Sequence, residues 1–272
     1  MLNRTAHSVD GVAITYSVSG TADTAIVLIH GGLADRSFWD GQHGPLSDRF
    51  TVIALDLAGH GESGRNRQKW GIVEFAHDVV AVLDGEGVRR AILAGNSLGG
   101  PVAIETALLA GTRAIGVIGV DTFHDLGRQI DPSHWGEQAD AWRRDFDGSL
   151  DRMLGALFHP DAPADLVADV RRRMSRTPVE TVCAMFRSFE GYDTGAPARQ
   201  LRVPVRCING DLYRTDVDAG REFVADFDAV VLAHTGHFPM LERPDEFNRK
   251  LEELAIAMTD AVCRRPSYSF GA

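Results

Sequence analysis

The spacing of hydrophobic residues changes after about the first twenty positions of the chain. From Val12 to Val18 apolar residues alternate with more polar ones, directly after an Asp10-Gly11 turn signal, which predicts an antiparallel hairpin strand at a sheet edge. Further along, apolar residues form short continuous runs, which are typical of strands buried on both faces of a sheet. These runs lie at residues 25–29, 52–55, 91–94, 115–120, 205–208 and 230–232.

Stretches with helical spacing of apolar residues separate several of these runs. They cover residues 73–83, 102–109, 217–227 and 244–258. Strands that alternate with helices predict an α/β fold, in which a parallel sheet is covered by helices. Binding sites in such sheets lie beyond the carboxyl ends of the strands, so we expect functional residues directly after the apolar runs.

One long segment, residues 122–199, interrupts the alternation. It contains no convincing strand and has the pattern of three or four helices separated by proline-containing stretches. We predict that residues 122–199 are a helical cap, or lid, inserted into a core domain of residues 1–121 and 200–272. Most of its large apolar side chains are expected to form the cap's own core, and the rest to line an apolar pocket. They are Phe123, Trp135, Trp142, Phe146, Met153, Leu157, Phe158, Met174, Met185, Phe186, Phe189 and Tyr192.

Composition narrows the class of protein. The 272 residues are 44% hydrophobic, which is sufficient for one large α/β domain with an insertion. A net charge of -10 without a basic stripe argues against nucleic acid or an anionic membrane as partner. The three cysteines form no C-x-x-C pair and predict reduced, packed thiols. The amino terminus lacks the apolar core of a signal peptide, and no apolar run reaches about 18 residues, which favours a cytoplasmic location. No feature of the sequence indicates the oligomeric state.

The strongest chemical signal is the pentapeptide from Gly95 to Gly99, between an apolar run and a helical pattern. It fits the G-x-S-x-G nucleophile elbow, a turn so tight that its central residue, here Ser97, is strained. Glycines two residues before and after the serine remove side chains that would collide. Ser97 is the candidate nucleophile, and a serine hydroxyl needs a histidine base and an acid to orient that base.

His237 is the candidate base. It follows Gly236 in the loop between the last predicted strand and the last predicted helix, from which an imidazole can reach the sheet edge near Ser97. His234 is the competing histidine. Because it lies closer to the strand, we expect it to have a structural role.

A serine nucleophile also requires two backbone N–H donors for the oxyanion of the intermediate. The amide of Leu98, directly after the serine and at the start of a helix, is one candidate. The second donor is expected in the His-Gly-Gly-Leu turn after the first buried run. Gly32 is the first candidate there and Leu33 the second.

Four motifs in this order resemble the α/β-hydrolase superfamily, in particular its cap-bearing esterases, lactonases, carbon-carbon hydrolases and cofactor-free haloperoxidases. The motifs are His30–Gly32, Asp56–Ser63, Gly95–Gly100 and Gly236–Phe238. The resemblance covers the whole chain and implies a mostly parallel eight-stranded sheet with helices on both faces and a helical cap. It also implies that Asp56, His60 and Ser63 have structural roles.

The acid departs from the common pattern of that family. Members usually carry it as the aspartate of a G-x-x-D segment after the penultimate strand, and this position is Tyr213 in the present chain. Asp121, directly after the 115–120 run, occupies the earlier strand end that some relatives use. A carboxylate at the end of a buried strand is costly unless it is paired, and His237 would pair with it. Asp121 is therefore the first candidate, with Asp216 and Asp211 as alternatives.

These residues and the resemblance predict a serine hydrolase that forms an acyl-enzyme on Ser97. The expected substrate is a carboxylic ester or lactone of a small to medium hydrophobic compound, with no metal and no organic cofactor. Carbon-carbon bond hydrolysis, acyl transfer and perhydrolysis use the same residues and stay open as alternatives. A ligand receptor with a vestigial triad is an alternative of another class, because fold alone does not define activity.

Overall fold

The computed structural model describes residues 1–128 and 131–264, and eight strands in them form one sheet. The strands are β1 (Leu2–His7), β2 (Ala13–Ser19), β3 (Thr24–Ile29), β4 (Thr51–Leu55), β5 (Arg90–Asn96), β6 (Ala114–Val120), β7 (Val205–Gly210) and β8 (Phe227–Leu232). Their spatial order is β1-β2-β4-β3-β5-β6-β7-β8. The pairs β1/β2 and β2/β4 are antiparallel, and all the other pairs are parallel. The predicted mostly parallel, eight-stranded sheet is confirmed.

Helices cover both faces of the sheet. They are α1 (Asp40–Leu46), α2 (Ile72–Gly85), α3 (Gly99–Ala110), α4 (Pro132–Arg144), α5 (Phe146–Leu157), α6 (Ala164–Met174), α7 (Val179–Arg187), α8 (Gly195–Ala198), α9 (Val217–Phe223), α10 (Pro239–Glu242) and α11 (Pro244–Cys263), with 3-10 turns at Arg36–Trp39 and Gly111–Arg113. Helices α2 and α3 contact each other and strands β1, β2, β3, β5 and β6, while α1 and α11 contact each other and strands β2, β4, β6 and β7. Every residue of β3 and β6 is buried, as expected for strands between two helical layers.

The strand β1 has no apolar pattern that would predict it. Of its six residues only Ala6 is buried, and Leu2 is 61% exposed. It pairs with β2 from Leu2 opposite Val18 to His7 opposite Ala13, so main-chain hydrogen bonds across this hairpin hold it in place. This pairing supplies the partner of the predicted hairpin strand, and β1 rather than β2 forms the edge, so the predicted edge position of the 12–18 strand is wrong.

The helix predicted at 217–227 is too long. It ends at Phe223, and Phe227 already belongs to β8, where it pairs with Val205 of β7. Phe227 is buried because its ring packs over Gly220, where a β-carbon would collide with that ring. The burial of one aromatic side chain in the sheet thus overrides a helical pattern.

Between β6 and β7 the described residues contain helices α4 to α8 and no strand, in agreement with the helical pattern of residues 122–199. Cys183 and Cys207 are buried as predicted, whereas Cys263, at the end of α11, is exposed, so the prediction of a packed thiol is wrong there. None of the helices in residues 1–128 and 131–264 has both the length and the apolar character that a membrane crossing requires.

Candidate active site

The turn around Ser97 has the strained geometry that its glycines predict. Ser97 lies between β5 and α3 with φ of +52°, in the left-handed region that a non-glycine residue seldom adopts. A β-carbon at Gly95 would overlap the carbonyl oxygen of Gly99, and one at Gly99 would overlap that of Ile29. Only glycine fits at both positions, so the chain can turn sharply and leave Ser97 half-buried beside a cavity.

The structure brings His237 and Asp121 together. His237 Nδ1 lies 2.6 Å from Asp121 Oδ2, across 116 residues of sequence. Asp121 follows β6 with φ of +43°, and its Oδ1 accepts the backbone N–H of Gly210 at 2.9 Å. Burial opposes the charged form of Asp121, but the imidazoles of His124 and His237 outweigh it and hold the pKa of this carboxyl well below its usual range. Asp121 is therefore an ionised partner for His237 at neutral pH.

Two other contacts fix the loop of His237. Glu242 accepts the backbone N–H groups of Gly236 at 2.9 Å and of Phe238 at 3.0 Å, on either side of the histidine. His237 and Ser97 line the same cavity. Within the described residues the two side chains form no hydrogen bond with each other, and such catalytic bonds are often long or poorly aligned in the absence of substrate.

The two alternative acids lie elsewhere. Asp216 is the N-cap of α9, where its side chain accepts the N–H of Ala219 at 3.0 Å. Asp211 accepts the N–H groups of His234 and Thr235 at 3.0 and 3.1 Å, and these backbone hydrogen bonds lower the pKa of its carboxyl. Among the contacts of the described residues, neither carboxylate is paired with His237.

His234 and Tyr213, the other residues singled out near this loop, contact the segment between β6 and β7. His234 has φ of +53° and is largely exposed, and its Nδ1 lies 2.9 Å from Asp161 Oδ2. The hydroxyl of Tyr213 donates to the carbonyl oxygen of Ala156 at 2.7 Å. Tyr213, at the usual position of the family's acid, is therefore an anchor for α5.

The turn after β3 lies on the opposite side of Ser97 from β6, because β3 and β6 flank β5 in the sheet. Gly32, Leu33 and Leu98 line the cavity together with Ser97. A β-carbon at Gly32 would overlap the sulfur of Met185, so the Met185 side chain lies directly over this glycine and would have to move to admit a larger residue. Leu33 has φ of +62°, and its carbonyl accepts the hydroxyl of Thr177 at 3.0 Å.

Hydrogen bonds of the His30 ring stabilise this turn. Its Nε2 accepts the backbone N–H of Leu57 at 3.0 Å, so the neutral ring carries its proton on Nδ1 and donates it to the carbonyl of Gly31 at 2.7 Å. Burial lowers the pKa of His30, although the charge of Asp56 opposes the shift. His30 is a neutral structural residue that shapes the turn carrying Gly32.

Asp56, His60 and Ser63 form the network that braces the end of β4. Asp56 is fully buried and accepts the N–H of Arg36 at 2.7 Å, and its backbone carbonyl accepts the Ser63 hydroxyl at 2.6 Å. His60 is also fully buried, and burial lowers its pKa to about 3. These contacts agree with the structural roles that the family resemblance implies.

Asn96 and His124 have positions that the sequence did not predict. The side-chain amide of Asn96 donates to the carbonyl of Val120 at 2.9 Å and to that of His237 at 3.0 Å, so it joins the backbones beside the predicted acid and base. His124 Nε2 lies 3.4 Å from Asp121 Oδ1. The one sequence signal for His124 is its position three residues after Asp121.

The cavity beside Ser97 has a volume of about 630 Å³ and a mainly apolar wall. Most of the large apolar residues of the predicted cap line it, in contrast to the expectation that most would form the cap's own core. Trp135 stacks on Phe189 at 4.9 Å between ring centroids, whereas Trp142 packs edge-to-face on Phe146 outside the cavity. The lining members are Phe123, Trp135, Met153, Leu157, Met174, Met185, Phe186, Phe189 and Tyr192.

A strained serine at a strand-to-helix turn lines one cavity with a histidine paired with a buried aspartate, an arrangement typical of hydrolases of the α/β class. A sequence model described as the alpha/beta hydrolase family matches residues 26–250. The chain therefore belongs to the α/β-hydrolase family.

The chain is similar to proteins of several activities. It is 27% identical over 257 residues to the dihydrolipoyllysine-residue acetyltransferase component of the acetoin cleaving system of Pseudomonas putida, covering 87% of this chain and 64% of that relative. It is 28% identical over 246 residues to a pimeloyl-(acyl-carrier protein) methyl ester esterase of Nitrosospira multiformis, covering 82% and 90%. The solved structure of the enol-lactonase from Burkholderia xenovorans is 25% identical with a TM-score of 0.79, covering 93% of this chain and 100% of that one. The chain thus spans less than two thirds of the length of the first relative and most of the length of the other two proteins.

Proposed function

We propose that this protein is a serine hydrolase that cleaves a carboxylic ester or a lactone of a small to medium hydrophobic substrate. The observation that carries the proposal is the shared cavity of strained Ser97 and of His237, whose Nδ1 lies 2.6 Å from the buried carboxylate of Asp121. The similarity to a methyl ester esterase and to an enol-lactonase supports this choice of bond.

In the proposed reaction the Ser97 oxygen attacks the carbonyl carbon of the substrate while His237 Nε2 takes its proton. The carbonyl electron pair moves to the oxygen, which the backbone N–H groups of Leu98 and of Gly32 or Leu33 stabilise. The tetrahedral intermediate then expels the alcohol, which receives the proton from His237, and leaves an acyl-enzyme. Water attacks the acyl group in the same way and releases the acid. Asp121 orients His237 and remains ionised throughout.

The proposal includes a cap at residues 122–199 over a core of residues 1–121 and 200–272. Two contacts support it. Met185 of α7 lies over Gly32, and the carbonyl of Leu157, the last residue of α5, accepts the backbone N–H of His237 at 2.7 Å. Helices of this segment therefore contact both the oxyanion turn and the base loop, and their apolar side chains would select hydrophobic acyl or alcohol groups.

Ser97→Ala tests the proposal, with Ser175→Ala as the matched control. Ser175 is exposed, and its hydroxyl bonds only to the carbonyl of Arg172 among the described contacts. With p-nitrophenyl esters of increasing chain length and a set of lactones, we expect Ser97→Ala to lower kcat at least about a thousandfold with an unchanged unfolding temperature. Near wild-type turnover in Ser97→Ala would overturn the assignment. Product analysis with alcohol or peroxide as competing nucleophile distinguishes hydrolysis from acyl transfer and perhydrolysis.

A further inference from the structure

We propose that His124 is a positioning residue of this site, a second imidazole that holds the Asp121 carboxylate at the oxygen that His237 does not contact. The inference rests on the proposed function, because it assigns Asp121 as the acid. His124 Nε2 lies 3.4 Å from Asp121 Oδ1, while Oδ2 of the same carboxylate lies 2.6 Å from His237 Nδ1. One buried carboxylate thus has an imidazole at each oxygen.

The hydrogen bonds of His124 determine which of its nitrogens carries the proton. Its Nδ1 lies 3.1 Å from the hydroxyl oxygen of Thr215, and that oxygen also accepts a hydrogen bond from the amide nitrogen of Asn209 at 2.8 Å. The Thr215 hydroxyl still has its own proton to donate to His124 Nδ1, and the Asp121 carboxylate that faces Nε2 can only accept. The neutral ring then has its proton on Nε2, directed at Asp121.

The surroundings of Nε2 offer it no better partner. This nitrogen is buried and has no hydrogen bond of good geometry within the described residues, so a small rotation toward Asp121 Oδ1 would satisfy it. In the described part of the chain, the polar neighbours of the ring have other contacts. Tyr213 packs edge-to-face at 6.1 Å, Asp125 bonds to Gly127 N–H, and the backbone N–H of Asp216 donates to the His124 carbonyl at 2.8 Å. The carboxylate of Asp216 is turned away, toward α9.

Asp121 needs such support because its backbone is strained. It has φ of +43°, and among the described residues its Oδ1 otherwise accepts only the backbone N–H of Gly210. A carboxylate that rotates away from His237 no longer orients the base, and the loss then falls on kcat more than on KM. His124 also contributes to the low pKa of Asp121, so without His124 the carboxylate would take up its proton at a higher pH.

The test compares His124→Phe, which keeps the ring packing against Tyr213, with His124→Gln, which keeps an N–H donor. His7→Phe, on the exposed edge strand, is the control. We expect His124→Phe to lower kcat about tenfold with KM within about twofold. His124→Gln should recover most of kcat. Equal losses in both variants together with a lower unfolding temperature, or no effect in either, would overturn the proposal.

A second readout does not depend on turnover. The proton shared by His237 Nδ1 and Asp121 Oδ2 is expected to give a downfield proton NMR resonance, assigned by its loss in His237→Ala. His124→Phe should shift or broaden this resonance, and His124→Gln should retain it. If the wild-type protein hydrolyses no ester, the proposed function fails while the resonance still decides the role of His124. An unchanged resonance in His124→Phe would contradict that role.

Discussion

The backbone N–H of His237 donates a hydrogen bond of 2.7 Å to the carbonyl oxygen of Leu157. Leu157 is the last residue of α5, and carbonyls in the last turn of a helix have no partner within the helix itself. The loop of the predicted base therefore supplies a donor that α5 lacks. Helix α5 is far from β8 in sequence, and through this bond α5 and the loop after β8 stabilise each other.

Tyr213→Phe tests a neighbouring contact at the same helix end. The lost hydrogen bond from Tyr213 to the Ala156 carbonyl is partly solvent-exposed, since Tyr213 is 45% exposed, so we expect a loss of only about 0.5 kcal/mol in the free energy of unfolding. Turnover should stay within about tenfold of wild type, because Tyr213 is not the acid. Urea unfolding and steady-state kinetics measure both quantities. A loss of turnover as large as that of Asp121→Asn would contradict this role.

Three substitutions separate the candidate acids. Asp121→Asn removes the charge beside His237, and we expect kcat to fall by about 10³–10⁴. Asp216→Asn should have little effect, because asparagine caps a helix about as well as aspartate. Asp211→Asn should also have little effect on kcat, because the described contacts of Asp211 are to the backbone of His234 and Thr235. Each carboxylate oxygen accepts one of these N–H groups, so asparagine keeps one bond and loses the other. The measurement is kcat of the three variants on one ester. A larger loss in Asp216→Asn than in Asp121→Asn would contradict the assignment of Asp121 as the acid.

Asn96→Ala tests whether one side chain joins the acid and base segments. It leaves the carbonyls of Val120 and His237 without this donor, and we expect the free energy of unfolding to fall by about 1–3 kcal/mol. We also expect a lower kcat, because both segments lose a common anchor. Asn3→Ala on the exposed strand β1 is the control for denaturant unfolding and kinetics. Equal stability and kcat for Asn96→Ala and Asn3→Ala would show that the bridge is unimportant.

The decrease in the free energy of unfolding at acidic pH should depend on His60. Burial lowers the pKa of His60 from 6.5 to about 3, so between these values the unfolded chain binds a proton that folded His60 does not. The contribution of neutral His60 to the free energy of unfolding is therefore fully present above about pH 6.5 and is lost as the pH falls toward 3. Over this range the free energy of unfolding changes by up to about 1.4 kcal/mol per pH unit. Urea unfolding over this range should show a smaller slope for His60→Phe than for the wild type. His7→Phe should keep the wild-type slope, and an equal slope in His60→Phe would contradict the assignment.

The sequence predicts the sheet well where burial on both faces produces continuous apolar runs, as in β3 and β6. It fails at β1, because strand pairing there depends on main-chain bonds that leave no apolar pattern, and at Phe227, because its burial over Gly220 is a tertiary contact. Ser97 and His237 could be proposed from the sequence as nucleophile and base, because the glycines beside them are local steric requirements of their turns. Asn96 and His124 could not, since the hydrogen bonds of Asn96 to Val120 and His237, and the approach of His124 to Asp121, arise only when the chain folds.

The central claim is that Ser97 is the nucleophile. Its most direct test is incubation of the native protein with a fluorophosphonate, followed by intact mass spectrometry and peptide mapping, with Ser97→Ala and Ser175→Ala treated in parallel. We expect a single adduct on the peptide that contains Ser97, present in the wild type and in Ser175→Ala and absent from Ser97→Ala. No labelling of native protein, or labelling that persists in Ser97→Ala, would contradict the account and favour a ligand-binding role for the cavity.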